Sequence, residues 1–345
     1  LGHIKFQPGT DPVDQAGIEL PDVSIPLDPE LVAVVDSGIA SPGDGEGPGW
    51  FYGSHESAPE EPFVIYEEPT DIEDLSTVPA SHGTFVSGLI RQIAPSKQVT
   101  FAAARRVGTD SLTLVGEDLP EGNPPTSEIH VAEAIARLIL RHQGDPKVMK
   151  ALNLSLGSYT CDPTQDVDLV TMNAMVQAWL TVFEEDGSVV MAAAGNEMYP
   201  ETATAVDQLI PMFPAGLNLW GMDAVHGVAA LDQTAEQVVW DDQNRVQIPL
   251  DRPWATDSAP GTDLINLSGN YSGGVELVCW SGSSFATAIA SAQTANGASL
   301  SANYNAVDGL TYVQSDGEEV VTVGGGTAPP SASCNPPETT TTTAP

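Results

Sequence analysis

Leu31-Val-Ala-Val-Val-Asp36-Ser-Gly38 is the stretch that decides the fold. Five apolar residues run without a break, three of them valine. Such a run is the pattern of a strand covered on both faces of a parallel sheet. It stops at Asp36, and open α/β sheets place ligands and chemistry at the carboxyl ends of their strands. The plainer role for Asp36 is to cap the following turn. Further core runs follow at residues 99–104, 148–156, 188–194 and 225–231. The second ends at Gly157 and the third at Gly195-Asn196. Between them, residues 128–142 carry Ile129, Ala132, Ile135, Ala136 and Ile139 on one helical face. Residues 169–183 read as another helix. Strands alternating with helices predict βαβ units. The fold class is therefore α/β, a three-layer αβα arrangement whose mostly parallel sheet carries helices on both faces.

Outward from this core the chain loses pattern at both ends. Residues 1–29, rich in Pro, Asp and Gly, read as an extended arm. Residues 30–304 hold the α/β domain, within which 40–79 reads as acidic loop. Residues 305–345 form a C-terminal extension. Within that extension, residues 318–323 are a candidate edge strand, and Gly324–Gly326 opens a Pro/Thr-rich tail ending in Thr339–Thr343. No run approaches the ~18 apolar residues of a membrane span. The first residues show no signal-peptide pattern, and a start at Leu is expected of a processed or trimmed chain. Net charge is −36, and eight of the eleven basic residues fall between Arg91 and Lys150. Such a surface repels nucleic-acid phosphates and anionic lipid. It suits solubility or salt tolerance, or an acidic cleft for cationic substrates. Cys161, Cys279 and Cys334 match no metal spacing, and their redox state is open.

Two further stretches carry chemistry. In Ser81-His82-Gly-Thr-Phe-Val-Ser-Gly88, helical spacing begins at Phe85, which puts His82 at a helix start. In Ser281-Gly-Ser-Ser284-Phe-Ala-Thr-Ala-Ile-Ala290, a glycine turn opens a helix of small residues, expected to be central and buried. Ser284 is expected there with an exposed hydroxyl, near the positive end of the helix dipole. Taken singly, a histidine at a helix start is structural and a serine there is a cap. Taken together, Asp36, His82 and Ser284 supply the parts of nucleophilic acyl transfer. The serine needs a base to remove its proton, histidine titrates near operating pH, and a carboxylate fixes the histidine's tautomer.

The chain resembles the subtilisin-like serine proteases, the subtilases, from about residue 30 to about residue 300. Val34-Val-Asp36-Ser-Gly38, His82-Gly-Thr-Phe-Val-Ser-Gly88 and Gly282-Ser-Ser284-Phe-Ala286 are similar to the family's Asp, His and Ser motifs. The order Asp, His, Ser is that of subtilisin. Ala192-Ala-Ala-Gly-Asn196 resembles its oxyanion segment, and Asn153-Leu-Ser-Leu-Gly157 the strand lining the S1 pocket. The resemblance implies a serine-type endopeptidase with a subtilisin-like fold. Ser284 is then the nucleophile, His82 the general base and acid, Asp36 the orienting carboxylate and Asn196 an oxyanion donor. It further implies that Ser155, Leu156 and Gly157 bind the substrate backbone as an added strand. Ala193, Ala194 and Gly195 face them, which leaves an apolar pocket with Phe213-Pro-Ala215 at its floor. The chain departs from the family at Ser81, Ser283 and Ala288, where Gly, Thr and Pro are usual. No prodomain is visible.

The implied chemistry requires no cofactor. Structural calcium, common in the family, cannot be assigned; Asp162, Asp166 and Asp168 form only a loose acidic loop. The expected partner is a polypeptide substrate, with no nucleic acid and no membrane span, and the oligomeric state is open. An unguarded protease is usually exported, so a secreted setting is expected, with the cytoplasm as alternative. Other readings are a catalytically silent subtilase-like binding domain, an α/β-hydrolase and a sedolisin. The α/β-hydrolase lacks its G-x-S-x-G elbow here. The sedolisin has Glu where this chain has His82.

Overall fold

The computed structural model describes residues 24–40, 48–55, 58–66, 72–73, 78–104, 128–142, 148–159, 167–196, 212–231, 239–240, 246–247, 254–262, 264–269, 275–298, 311–313 and 320–322. The main-sheet strands are β1 Glu30–Asp36, β2 Val64–Tyr66, β3 Gln98–Ala103, β4 Val148–Leu154, β5 Val189–Ala193, β6 Val225–Leu231 and β7 Ala255–Pro260. All seven pair in parallel, in the order β7-β6-β5-β4-β1-β3-β2. The longer helices are α1 Val78–Ile93, α2 Glu128–His142, α3 Val167–Glu185 and α4 Ser283–Ala295.

Leu31 through Val35 are all 0% exposed, because helices cover both faces of β1. Val32 and Val34 pack in one core with Phe85, Val86, Phe285 and Ala286 of α1 and α4. Ala33 and Val35, pointing the other way, pack with Ile135, Leu138, Leu180 and Phe183 of α2 and α3. The unbroken apolar run thus reports three layers, each buried valine contributing about 1.5–3 kcal/mol of transfer free energy. The strand order reverses between β1 and β4, so the carboxyl ends of those two strands flank a topological switch point.

Helix α4 is central, as its small residues predict: Ala286, Ala288, Ala290 and Ala292 are all 0% exposed. Two of its hydroxyls bond along the helix. Thr287 donates to the Ser283 carbonyl (2.7 Å) and Ser291 to that of Thr287 (2.8 Å). Asn153 of β4 donates to Ser291 Oγ (3.1 Å), tying the helix to the sheet.

Several elements differ from the sequence reading. Residues 40–79 are not all loop: Val64–Tyr66 forms the edge strand β2, too short and too close to Pro62 to show a period. Strand β7, Ala-Thr-Asp-Ser-Ala-Pro, has no apolar run because it lies at the other sheet edge. A hairpin of β8 (Leu264–Gly269) and β9 (Val275–Trp280), extended by β10 (Thr311–Val313) and β11 (Val320–Thr322), makes a separate antiparallel sheet, of which only β11, at its edge, falls in a stretch read as a strand. Residues 1–23 and the Thr-rich tail lie outside the described residues, as do Cys161 and Cys334. No described helix is long and apolar enough to cross a membrane.

The described end of the arm is pinned. Asp28 N–H donates to the Ser96 carbonyl (2.7 Å), and Val148 N–H donates to that of Pro29 (2.9 Å). Lys97, only 5% exposed, donates to Asp28 (2.8 Å) and Glu30 (2.5 Å). Nearby, Arg91 is fully buried. Its Nη1 donates to the carbonyls of Pro95 (2.8 Å) and Lys97 (2.7 Å), and its guanidinium carbon lies 4.3 Å from the Phe63 ring centroid. Burial lowers its pKa to about 10.

The hydrogen bonds from Lys97 hold Asp28 and Glu30 below their ordinary carboxylate values of 3.8 and 4.5. For Lys97 burial acts downward, but the two acids outweigh it and raise its pKa. The carboxylates therefore contribute stability above their unfolded pKa values, lost as pH falls through the folded ones. The raised lysine contributes stability below its unfolded pKa, lost as pH rises through the folded one. The side chains of Asp28 and Glu30 are 44% and 30% exposed, so water screens the effect. Lys97→Met is expected to lower Tm by about 3 °C at neutral pH. It should also flatten the decline in Tm as pH drops through the carboxylate range, as thermal melts from about pH 7 to about pH 3 would show.

Candidate active site

The residues singled out from sequence gather at the carboxyl end of the main sheet. Asp36 ends β1, Ser155–Gly157 follow β4, and Ala193–Asn196 end and follow β5. Strands β4 and β5 are neighbours, with Leu154 opposite Ala192, so the two segments leave the sheet side by side. Met212–Phe213 pairs antiparallel with Ser158–Tyr159, which sets the Phe213-Pro-Ala215 segment beside them.

Asp36 and His82 are joined directly. His82 Nδ1 lies 2.8 Å from Asp36 Oδ1 and 3.0 Å from Oδ2, with both residues buried. Facing a carboxylate, Nδ1 carries the proton, which leaves the Nε2 lone pair as an acceptor. Asp36 Oδ1 also accepts from Ser37 N–H (2.7 Å) and Ser37 Oγ (3.0 Å), so the carboxylate cannot swing. His82 lies in the second turn of α1, not at its start. The helix opens four residues earlier at Val78, and Pro79 suits a first turn, where no intrahelical N–H bond is needed. Gly83 makes the approach of α1 to β1 possible, because a Cβ there would strike the Gly38 carbonyl and the Phe101 ring. Thr84 Oγ1 completes the join by accepting from Ala40 N–H at 2.8 Å.

Aromatic rings hold the other sides of the imidazole. Trp280, at the end of β9, stands edge-on to His82 (centroids 5.7 Å apart, 89°). Phe285, the residue after Ser284, lies at 5.4 Å and itself packs on Phe85 at 4.5 Å. The start of α4 is thus beside His82. Sequence reading missed Trp280; the strand-favouring, mostly apolar run Val275-Glu-Leu-Val-Cys-Trp280 was its only signal, and the hairpin itself went unread.

Ser284 is the second residue of α4, and its hydroxyl caps nothing. Contrary to expectation it is buried, at 9% exposure, because its Oγ turns inward and donates to the Ser155 carbonyl at 3.0 Å. Ser155 Oγ donates in return to the Ser284 carbonyl at 2.6 Å. His82 Nε2 is buried and has no hydrogen-bond partner among the described residues. Asn196 Oδ1 accepts from Ser283 N–H at 2.7 Å, which fixes the amide's orientation and leaves Nδ2 beside Gly282 as a donor. The reversal that sends Asn196 back to the helix start passes through Gly195, whose φ of +102° favours glycine. Trp254 Nε1 anchors this segment by donating to the Ala194 carbonyl at 3.0 Å.

Another histidine–carboxylate pair, His226 with Asp257 (2.6 Å), lies at the start of β6, away from the strand ends that gather the residues above. Asp162 and Asp166 lie outside the described residues, and of Asp168 only the helical backbone is described. No group of three or more potential metal ligands occurs among the described residues. Gly83→Ala is expected to cost about 1–3 kcal/mol in stability by forcing α1 off β1. Denaturant unfolding of the variant measures that loss.

A family model described as the subtilase family matches residues 29–312. Among curated proteins nothing matches. Similar solved structures include a mutant of the protease domain of PatA, at 19% identity and TM-score 0.47 over 81% of this chain and 86% of that one. A lanthipeptide protease matches at 17% and 0.48, covering 77% and 72%. A cold adapted subtilisin-like serine proteinase matches at 17% and 0.44, covering 83% and 82%. The motifs in their order, and a family match spanning the whole α/β domain, lead to one conclusion: this chain belongs to the subtilase family.

Proposed function

We propose that the chain is a serine endopeptidase that cleaves polypeptides through an acyl-enzyme on Ser284. The observation that carries this reading is the Asp36–His82 contact at the switch point, with Nε2 beside the start of α4 and without a partner among the described residues. In the reaction, Nε2 takes the Ser284 proton as Oγ attacks the scissile carbonyl. Asp36 keeps the ring in the required tautomer and stabilises the imidazolium. The oxyanion that forms has two donors to hand. One is Asn196 Nδ2; the other is Ser284 N–H, among the first helical amides, which lack an intrahelical acceptor. The imidazolium then gives its proton to the leaving amine, and water repeats the sequence to release the acid. Besides water, the reaction as proposed draws only on the chain's own groups. Ser155–Gly157 and Ala193–Gly195, which leave the sheet side by side, are the proposed cradle for the substrate backbone and the residue on the acyl side of the cut.

One observation favours a silent binding domain instead: the Ser284 hydroxyl rests on Ser155, not on His82. A fluorophosphonate separates the two readings. Covalent labelling is expected on Ser284, seen by mass spectrometry, and is expected to vanish in Ser284→Ala; an unlabelled, folded protein would rule out the protease. In a peptide-cleavage assay, Asp36→Asn is expected to lower kcat by about 10⁴-fold. Asn196→Leu should lower kcat by about 10²–10³-fold with little change in KM, a magnitude known from subtilisin itself.

A further inference from the structure

The proposed endopeptidase has its nucleophile's hydroxyl bonded to a group that the substrate itself needs. Ser284 Oγ donates to the Ser155 carbonyl (3.0 Å), and Ser155 Oγ closes the pair by donating to the Ser284 carbonyl (2.6 Å). Both serines are buried, at 9% and 3% exposure, so neither bond is a passing surface contact. The base that should receive the Ser284 proton has a buried Nε2 without a hydrogen-bond partner among the described residues. A hydroxyl turned toward Nε2 would give that nitrogen a donor.

We propose that the substrate's main chain releases the nucleophile. An extended peptide added beside Ser155–Gly157 offers N–H groups to the carbonyls of that segment. When the N–H of the residue on the acyl side of the cut takes the Ser155 carbonyl, the Ser284 hydroxyl loses its acceptor. One staggered step about χ1 then turns it toward His82 Nε2. The proton stays on Oγ throughout this exchange; one acceptor is swapped for another, and no covalent bond changes until attack begins. Ser155 is a positioning residue in this scheme. Its side chain holds the Ser284 carbonyl while its own carbonyl exchanges partners. Small electrophiles without a main-chain N–H meet the resting hydroxyl, whereas peptides that fill the strand position prepare it. The energy of that one contact therefore appears in the chemical step as well as in binding.

This inference rests on the endopeptidase reading, and the test keeps the two apart. The probes are two peptidyl diphenyl phosphonates of matched sequence. In one, the acyl-side residue is joined to its predecessor through an amide N–H; in the other, an ester oxygen replaces that N–H at nearly the same shape. Each reacts by attack of Ser284 Oγ on phosphorus with loss of phenol, so the maximal inactivation rate, kinact, and the half-saturating concentration, KI, separate in one progress-curve series. The amide probe is expected to show a kinact about tenfold higher, the worth of one hydrogen bond in the reacting complex, with a smaller change in KI. Equal kinact values, with the whole difference in KI, would overturn the proposal by making the N–H a binding contact alone. So would fluorophosphonate labelling of Ser284 with neither peptidyl probe reacting, because no strand would then reach Ser155. Failure of the fluorophosphonate to label Ser284 removes the endopeptidase reading, and this inference with it.

Discussion

The close passage of α4 beneath the main sheet is the constraint on which the rest depends. A helix can lie this near to several strands only if its inward side chains are small, and the fully buried alanines of Ser283–Ala295 meet that demand. With the helix so placed, its first turn, carrying Ser284 and Phe285, meets Ser155 after β4 and Asn196 after β5. Phe285 then reaches the His82 ring, and the backbone of the glycine turn reaches Asn196. A bulkier residue at an inward position would lift the helix and separate these contacts together.

Helix α1 is held by a comparable close contact on the other side. Gly83 lets it reach the end of β1, and there the Asp36 carboxylate, fixed by Ser37, receives the imidazole. The site therefore has a rigid half and a movable half. Asp36, His82 and the rings around His82 are fixed by hydrogen bonds and packing. The Ser284 side chain has a single torsion of freedom, and it is the one group whose orientation departs from what its position implied.

The elements that carry chemistry were legible because each has a one-dimensional signature. Leu31–Val35 is apolar without interruption because it is covered twice. Residues 283–295 are small because they are crowded. Gly195 precedes Asn196 because the backbone there must turn in a way other residues resist. The unread parts have no such signature. Strand β7 is polar because it sits at an edge, and β2 is three residues long. Trp280 belongs to a hairpin whose partner strand is joined through residues 270–274, and nothing in its neighbours' letters says that it will meet a histidine nearly two hundred positions earlier. The burial of Ser284 was likewise out of reach, since it follows from a hydrogen bond across 129 positions to Ser155.

Lys97 and Arg91 lie inside the protein rather than on it, and few other basic residues exist. Little positive charge is therefore left at the surface to offset the acids that give the chain its net charge of −36. A polyanion of this kind draws a dense cloud of mobile cations about itself. Those counter-ions accompany the molecule wherever it diffuses, and any partner that meets its face must first displace some of them.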